Sequence, residues 1–379
     1  MLHASPQDVR SLQVVLARDE SQLQGLCAEW NALAGDVPFR TWEWTRTWWQ
    51  HYRDTSSELF TLLVLDDRGN LVGIAPWYVT RSPREGRTLR FLGSGEVCSD
   101  YLTILCQTDA CELVVERLAD WLAMEAADEW HLLELDGAAE SDATVVRLCE
   151  RMAERGHLVD RQADMSCWRT ELPGDWNEFV AGLSKSRRER TRALLRKTVD
   201  KGRVVMRQVQ TESELPRGFD VLIELHQRRR RSLSQPGCFA SGRFTRFHRE
   251  MASQFLAAGK LRLSWWELDG RPLAVSYSFA GGDTVYYYQG GFEPELASES
   301  PGWIGAASDL KLAIEQGYRA YDFLRGDESY KTSWQATARP LVRVRIVGRQ
   351  ASARVRFATS RGTEKVKGWA RRLLSRTKG

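Results

Sequence analysis

Residues 285–331 read VYYYQGGFEPELASESPGWIGAASDLKLAIEQGYRAYDFLRGDESYK. The opening VYYYQGGF is rich in aromatic and β-forming residues and closes a three-strand meander over 261–292, with turns at Asp269-Gly270 and Gly281-Gly282-Asp283. GWIGAASDLKLAIEQG carries helical spacing over 302–317, and YRAYDFLRG returns to strand. That apolar strand ends in a crowd of polar groups: Asp322, Arg325, Asp327, Glu328, Tyr330 and Lys331. Two explanations compete. The group is either a strand-end ion network or the rim of a site.

Working outward, the same grammar recurs in the front half. FRTWEWTRTWWQHY (39–52) is an aromatic helix leading into LFTLLVLDDRGNLVGIAPWYV, a hairpin turning at Asp67-Arg68-Gly69-Asn70. A β run around RTLRFLG, a helix over 110–127, a strand over 130–137, a helix near 141–155 and a strand near 157–170 follow. In the second half a helix over 243–260 precedes the meander, so the hairpin repeats at an offset of about 200 residues. Two α+β lobes, each a bent mixed sheet flanked by helices, account for this better than one large sheet. The expected divisions are 1–175, 176–348 and a tail, 349–379. Trp42, Trp44, Trp48 and Trp49 have the spacing of a core helix; stacking on sugar rings is the alternative.

Composition narrows the class. A chain of 379 residues with 42% hydrophobic content can bury two cores. No window approaches a membrane span and no secretory leader is readable, so the expected location is the cytoplasm. The seven cysteines (Cys27, Cys98, Cys106, Cys111, Cys149, Cys167, Cys238) form no CxxC pair and have no His at zinc spacing. They read as reduced thiols filling cores, and no metal is expected.

The net charge of +4 hides an asymmetry. Residues 349–379 carry ten Lys or Arg against Glu364 alone, a charge of +9, whereas the other 348 residues hold 44 basic and 49 acidic groups. Within the tail, Val366, Trp369, Ala370, Leu373 and Leu374 fall at helical spacing with cations opposite, the pattern of a helix lying on an anionic membrane or of a solvated tail. A second basic object lies between the lobes. LSKSRRERTRALLRKTVDKG predicts a helix over about 187–201, with Ser186 and Glu189 as a capping box. HQRRRRSL (226–233) is another basic helix end. Arg187, Arg188 and Arg230 are candidate phosphate ligands; solvated faces are the bland alternative. His226 stands beside them, as a site residue or as packing.

The second half resembles a known group. SKSRRERTRALLRK, ELHQRRRRS, LDGRPLAVSY, YYYQGGFEPE, ESPGWIGAASDLKLAIEQGYRAYDFLRG and SYK together look like the GNAT-type acetyltransferase domain of the CelD type, associated with cellulose and exopolysaccharide biosynthesis. That group is similar to the FemABX aminoacyl transferases, which carry two GNAT lobes in tandem. GIAPWY and FLGSGEVCSDYL resemble the first lobe.

The resemblance implies tandem GNAT-like lobes and an acyltransferase using acyl-CoA, most simply acetyl-CoA. In that fold the fourth and fifth strands splay apart to admit the pantetheine arm, and the pyrophosphate meets a helix N-terminus. Here the strands would be VYYYQGGF and YRAYDFL, and the helix would open at Ser300-Pro301-Gly302. The usual phosphate loop has a basic residue or Gln and two glycines, whereas this chain has ELASESPGWIG with Glu295 and Glu299 nearby, which leaves a longer acyl donor, an acyl carrier protein or an aminoacyl-tRNA open. Asp322 or Glu328 is the candidate base, Tyr330 the candidate acid. Lys331, Ser300, Gly302, Gln289 and the amides near Gly290 and Gly291 are candidates for holding the donor. Tyr286 and Tyr288, expected on one face, join Arg187, Arg188, His226, Arg230, Arg325 and Asp100 as candidate acceptor contacts. The acceptor is expected to be a carbohydrate or another small molecule. Membrane contact would come through the tail, tRNA enters only under the FemABX-like reading, and no DNA partner is expected. A non-catalytic binding subunit is the remaining alternative.

Overall fold

The computed structural model describes residues 12–361. The strands in chain order are β1 (Gln13–Ala17), β2 (Ser57–Leu59), β3 (Thr61–Leu65), β4 (Leu71–Ala75), β5 (Trp77–Ser82), β6 (Gly86–Phe91), β7 (Leu105–Cys106), β8 (Leu132–Ala139), β9 (Leu158–Glu171), β10 (Val204–Gln208), β11 (Leu261–Leu268), β12 (Arg271–Gly281), β13 (Thr284–Phe292), β14 (Ala320–Arg325) and β15 (Thr337–Val347). The helices are α1 (Cys27–Ala34), α2 (Trp42–Tyr52), α3 (Cys111–Asp120), α4 (Ala143–Glu154), α5 (Trp176–Gly182), α6 (Lys185–Lys197), α7 (Leu215–Ser232), α8 (Gly242–Ala257), α9 (Pro301–Glu315) and a last helical run over 351–361. The fold is mixed α/β.

The chain divides into two compact units. Among the described residues the first takes 12–35, 39–164 and 341–361; the second takes 36–38 and 165–340. The boundaries therefore fall inside β9 and β15, not at 175 and 348. The run over 341–347 returns to pair with β8 of the first unit, beginning with Leu341 opposite Ala139. The amphipathic positions Val366, Trp369, Ala370, Leu373 and Leu374 lie outside the described residues.

In the first unit β1-β3-β4-β7 form one sheet, and β15, β8, β6, β5 and β2 lie in sequence in another. Its core gathers Trp77, Phe91, Leu118, Trp130 and Leu133. Trp44, Trp48 and Trp49 of α2 are buried, as a core helix requires, with the Trp44 indole donating to Ser99 Oγ at 2.8 Å. Cys106 and Cys111 are joined by a disulfide, which corrects the expectation that all seven thiols are reduced. Cys149 and Cys167 are the buried pair among the remaining five.

In the second unit the order is β10-β11-β12-β13-β14-β9. Residues β11 to β13 form the expected meander, and α9 carries the chain from β13 to β14, which runs parallel to it. The first unit contains the same step: β6 and β8 pair in parallel over three residue pairs, with α3 between them. The β3–β4 and β11–β12 hairpins lie 200 residues apart, matching the repeat read from the sequence. The capping box expected at Ser186 is absent. Helix α6 starts two residues earlier, with Ser184 as its N-cap.

Candidate active site

The site is built where two strands separate. Strands β13 and β14 pair only through Thr284–Ala320, Val285–Tyr321 and Tyr286–Asp322. Beyond that point β13 continues to Phe292 and β14 to Arg325 without further pairing to each other, leaving a slot. Irregularities on both strands drive the parting. On β13, Gln289 faces Tyr277 and Tyr287 faces Ser278, so Tyr288 is the extra residue of a bulge. On β14, the register against β9 slips between Asp322 and Arg325.

The slip centres on Leu324, a buried non-glycine residue at φ 55°. A left-handed backbone costs such a residue about 1–2 kcal/mol, so the surroundings must hold it. Both of its backbone groups are taken by side chains. Asp322 Oδ1 accepts the Leu324 N–H at 2.8 Å, and Lys331 Nζ donates to the Leu324 carbonyl at 3.0 Å. The same ammonium donates to the carbonyls of Arg325 and Gly326, both at 2.9 Å, and meets Glu328 Oε2 at 3.0 Å. Lys331 and Asp322 are 2% and 1% exposed.

Much of the polar crowd after β14 is thus a clamp on a kinked strand end. This corrects the role expected for Lys331, whose donors are saturated by the chain itself rather than aimed at a phosphate. Asp322 likewise braces Leu324 and stands opposite Arg169 on β9. Burial works against the charge on Arg169, but Glu171 and then Asp322 outweigh it and raise its pKa.

What the clamp presents is a cluster of phenols. Tyr287 packs with its ring centroid 6.2 Å from Tyr321 and 6.4 Å from Phe323, and Phe323 lies 5.9 Å from Tyr330. Burial pushes the Tyr287 phenol well up, Asp309 and Glu328 add to the effect, and Arg230 opposes it. Tyr330 is 39% exposed as a residue, with its ring edge-on to Phe323. Its pKa is raised by burial, then by Tyr287 and Glu328, again against Arg230. Beneath the phenols, Asp309 of α9 is 3% exposed and accepts from Ser276 Oγ at 2.7 Å and Tyr321 Oη at 2.5 Å. One carboxylate thus fastens α9 to β12 on one side of the slot and to β14 on the other.

Other candidates fall elsewhere. Tyr286 is buried at the last paired position of β13. Tyr288, at the bulge, bonds His248 Nε2 at 3.0 Å and stacks among Phe244, Tyr277 and Phe279. Tyr286 pairs with Phe279, and Tyr288 packs on Phe279 and Tyr277, so the two share the face expected of them, while Tyr287 lies on the opposite face with Tyr321.

Gly290 lies where a Cβ would fall 1.9 Å from Tyr287 Oη and 2.7 Å from the Val275 carbonyl, so it makes room for the phenol. At Gly291 a Cβ would come within 2.4 Å of the His226 backbone nitrogen, so this glycine admits α7 against the strand. Gln289 is half-buried opposite Tyr277 on β12. His226 is buried, with Nδ1 3.1 Å from Gln227 Oε1 and Nε2 3.5 Å from Cys238 Sγ; burial lowers its pKa to about 4, against the bond from Gln227. Arg230 donates to Gln235 at 3.0 Å, Arg187 to the Thr332 carbonyl at 3.1 Å and Arg188 to the Ala181 carbonyl at 2.8 Å. Arg325 is half-buried opposite Cys167. Asp100 is buried and belongs to the first unit.

The start of α9 departs from a pyrophosphate cradle. Ser300 is its N-cap at φ 58°, Pro301 has no N–H, and the amides of Trp303 and Ile304 return to the Ser300 carbonyl at 3.0 and 3.1 Å. Gly302 supplies the remaining amide of that turn, over the Phe292 ring. Arg190 donates to Ser300 Oγ at 3.2 Å and lies over the Trp303 ring at 4.5 Å, while Lys197 pairs with Glu299 at 3.5 Å. Among the described residues no His, Cys, Asp and Glu group is arranged to hold a metal.

Known proteins share this architecture. Residues 185–332, within the second unit, match the family model described as an acetyltransferase (GNAT) domain. Two solved structures align over most of the chain. FemX does so at 11% identity and a TM-score of 0.60, covering 83% of this chain and 95% of its own. A conserved protein of unknown function from Bacteroides thetaiotaomicron does so at 10% identity and a TM-score of 0.56, covering 88% and 100%. A tandem GNAT protein from the clavulanic acid biosynthesis pathway aligns at 10% identity and a TM-score of 0.48, covering 89% and 98%. At such identities the likeness is one of fold. A search of curated proteins returns no match.

Proposed function

We propose that the second unit transfers an acyl group from a thioester to an amine or hydroxyl, with a sugar of an envelope or exopolysaccharide precursor as the acceptor class. The parting of β13 and β14, with Tyr287, Tyr330 and Glu328 at its end, carries this reading. A thioester arm laid between the strands brings its carbonyl to the phenols. The acceptor lone pair attacks that carbonyl, the C–S bond breaks, and the thiolate takes a proton as the amide or ester forms. Glu328 is the base for the acceptor proton. A phenol held above its ordinary pKa stays protonated at neutral pH and donates to the developing oxyanion or the leaving sulfur.

The sugar acceptor rests on the resemblance of the second half to the CelD type. No helix among the described residues is long and apolar enough to cross a membrane. The test is thiol release from acyl thioesters in the presence of amino sugars and sugar alcohols. Turnover that falls at least a hundredfold in Tyr287→Phe with unchanged melting supports the reading; wild-type turnover in that variant removes the chemistry from the slot.

A further inference from the structure

Helix α6 carries seven cations, Lys185, Arg187, Arg188, Arg190, Arg192, Arg196 and Lys197, against one acid, Glu189. Among the described residues its single ion pair is Lys197 with Glu299. This sets it apart from α4, whose Arg147 and Arg151 are neutralised by Glu112, Glu116, Glu150 and Glu154. Lys185, Arg188, Arg192 and Arg196 fall three and four residues apart, and all but the half-buried Arg188 are exposed. They make a positive stripe about 17 Å long at 1.5 Å per residue. The inner side of the same helix touches the site twice: Arg187 bonds the Thr332 carbonyl beside the Lys331 clamp, and Arg190 bonds Ser300 at the start of α9.

A nucleotide thioester brings a pyrophosphate and a third phosphate, whereas a phosphopantetheine arm brings one phosphodiester. The start of α9, with the Gly302 amide and Arg190 set against Glu299, is suited to one phosphate. We infer that the donor is a thioester on the phosphopantetheine arm of a small acidic carrier protein, which docks an acidic helix on the α6 stripe. This rests on the acyl-transfer reading and specifies its partner. The arm's thioester carbonyl is attacked by the acceptor, the C–S bond breaks, and the thiol stays on the carrier. Opposite charge over one helix length accounts for recognition, and the order α6, α9, slot gives the arm its path. RNA is the less fitting polyanion: the stripe presents no exposed aromatic ring for a base to stack on, since Trp303 lies under Arg190.

The probes are the acyl and holo forms of the acyl carrier protein of bacterial fatty-acid synthesis, acyl-CoA, the acyl-phosphopantetheine arm alone, and bulk tRNA. Binding and thiol release are measured for the full chain and for Arg192→Glu/Arg196→Glu. A Lys185→Glu chain serves as a second variant, and melting temperatures confirm folding. Expected are carrier binding that weakens at least tenfold in the variants and with rising salt, and turnover of the arm alone that does not change. The inference is overturned if the carrier does not bind, if binding ignores the charge reversal, or if tRNA is what the stripe retains. If acyl-CoA is consumed without carrier binding, only the carrier is wrong; if no thioester is consumed, the acyl-transfer reading falls.

Discussion

Replacing Lys331 by methionine removes an ammonium that closes three backbone carbonyls at 2.9–3.0 Å and one carboxylate at 3.0 Å, while keeping an unbranched apolar stem in the buried site. Hydrogen bonds to charged groups contribute roughly 1.5–3 kcal/mol each and do not add, so the loss is bounded by the cost of breaking a buried ionic network, about 3–5 kcal/mol. For a unit of this size 1 kcal/mol moves the melting temperature by roughly 2–4 °C, giving a fall of about 6–20 °C. The assay is thermal and urea unfolding followed by circular dichroism and by tryptophan fluorescence; Trp334 and Trp303 stack at 4.6 Å next to the clamp. Lys331→Arg recovers little, because a planar fork cannot converge on three carbonyls. If Lys331 were an anion ligand, Lys331→Met would weaken donor binding and leave melting alone. A loss under about 1 kcal/mol, or a wild-type Lys331→Arg, refutes the clamp.

Asp322→Ala deprives the strained Leu324 of its N–H acceptor and is expected to destabilise by about 1–3 kcal/mol in urea titrations, whatever it does to turnover. Gly291→Ala drives a methyl into the α7 backbone at Leu225 and His226; the melting transition should fall by several degrees or the protein be recovered insoluble. The His226 imidazole is held near 4 by burial, below its unfolded value of about 6.5, so between these values the unfolded state binds more protons. Stability therefore drops as pH falls from about 6.5 toward 4, by at most about 1.4 kcal/mol per unit from this group, and His226→Gln should flatten that limb in pH-dependent urea titrations.

The repeating hairpins and the strand–helix–strand step were legible because they rest on period-2 and period-3.6 patterns that local residues set. The slot's residues were less so. Alternation along VYYYQGGF places Tyr286 and Tyr288 together on the Phe279 face, but which of the two faces carries the phenols beside β14 is set by α9 and Tyr321, so Tyr287 has no signal of its own. Lys331 resembles an anion ligand until Leu324 is seen to kink, a tertiary feature with no sequence signal. Asp309 sits in AASDLKL as an ordinary helical acid; an Asp on the apolar side of α9 was the clue available. The Cys106–Cys111 link depends on a strand end meeting a helix start, which spacing alone does not reveal.

Amide hydrogen exchange over residues 287–292, measured with and without saturating acyl-phosphopantetheine, asks whether a thioester arm lies between the parted strands. Protection that appears there and is absent from β6 and β8 of the first unit is the expected result. Unchanged exchange along 287–292 while the donor is demonstrably bound would put the thioester somewhere else and end the case for this slot.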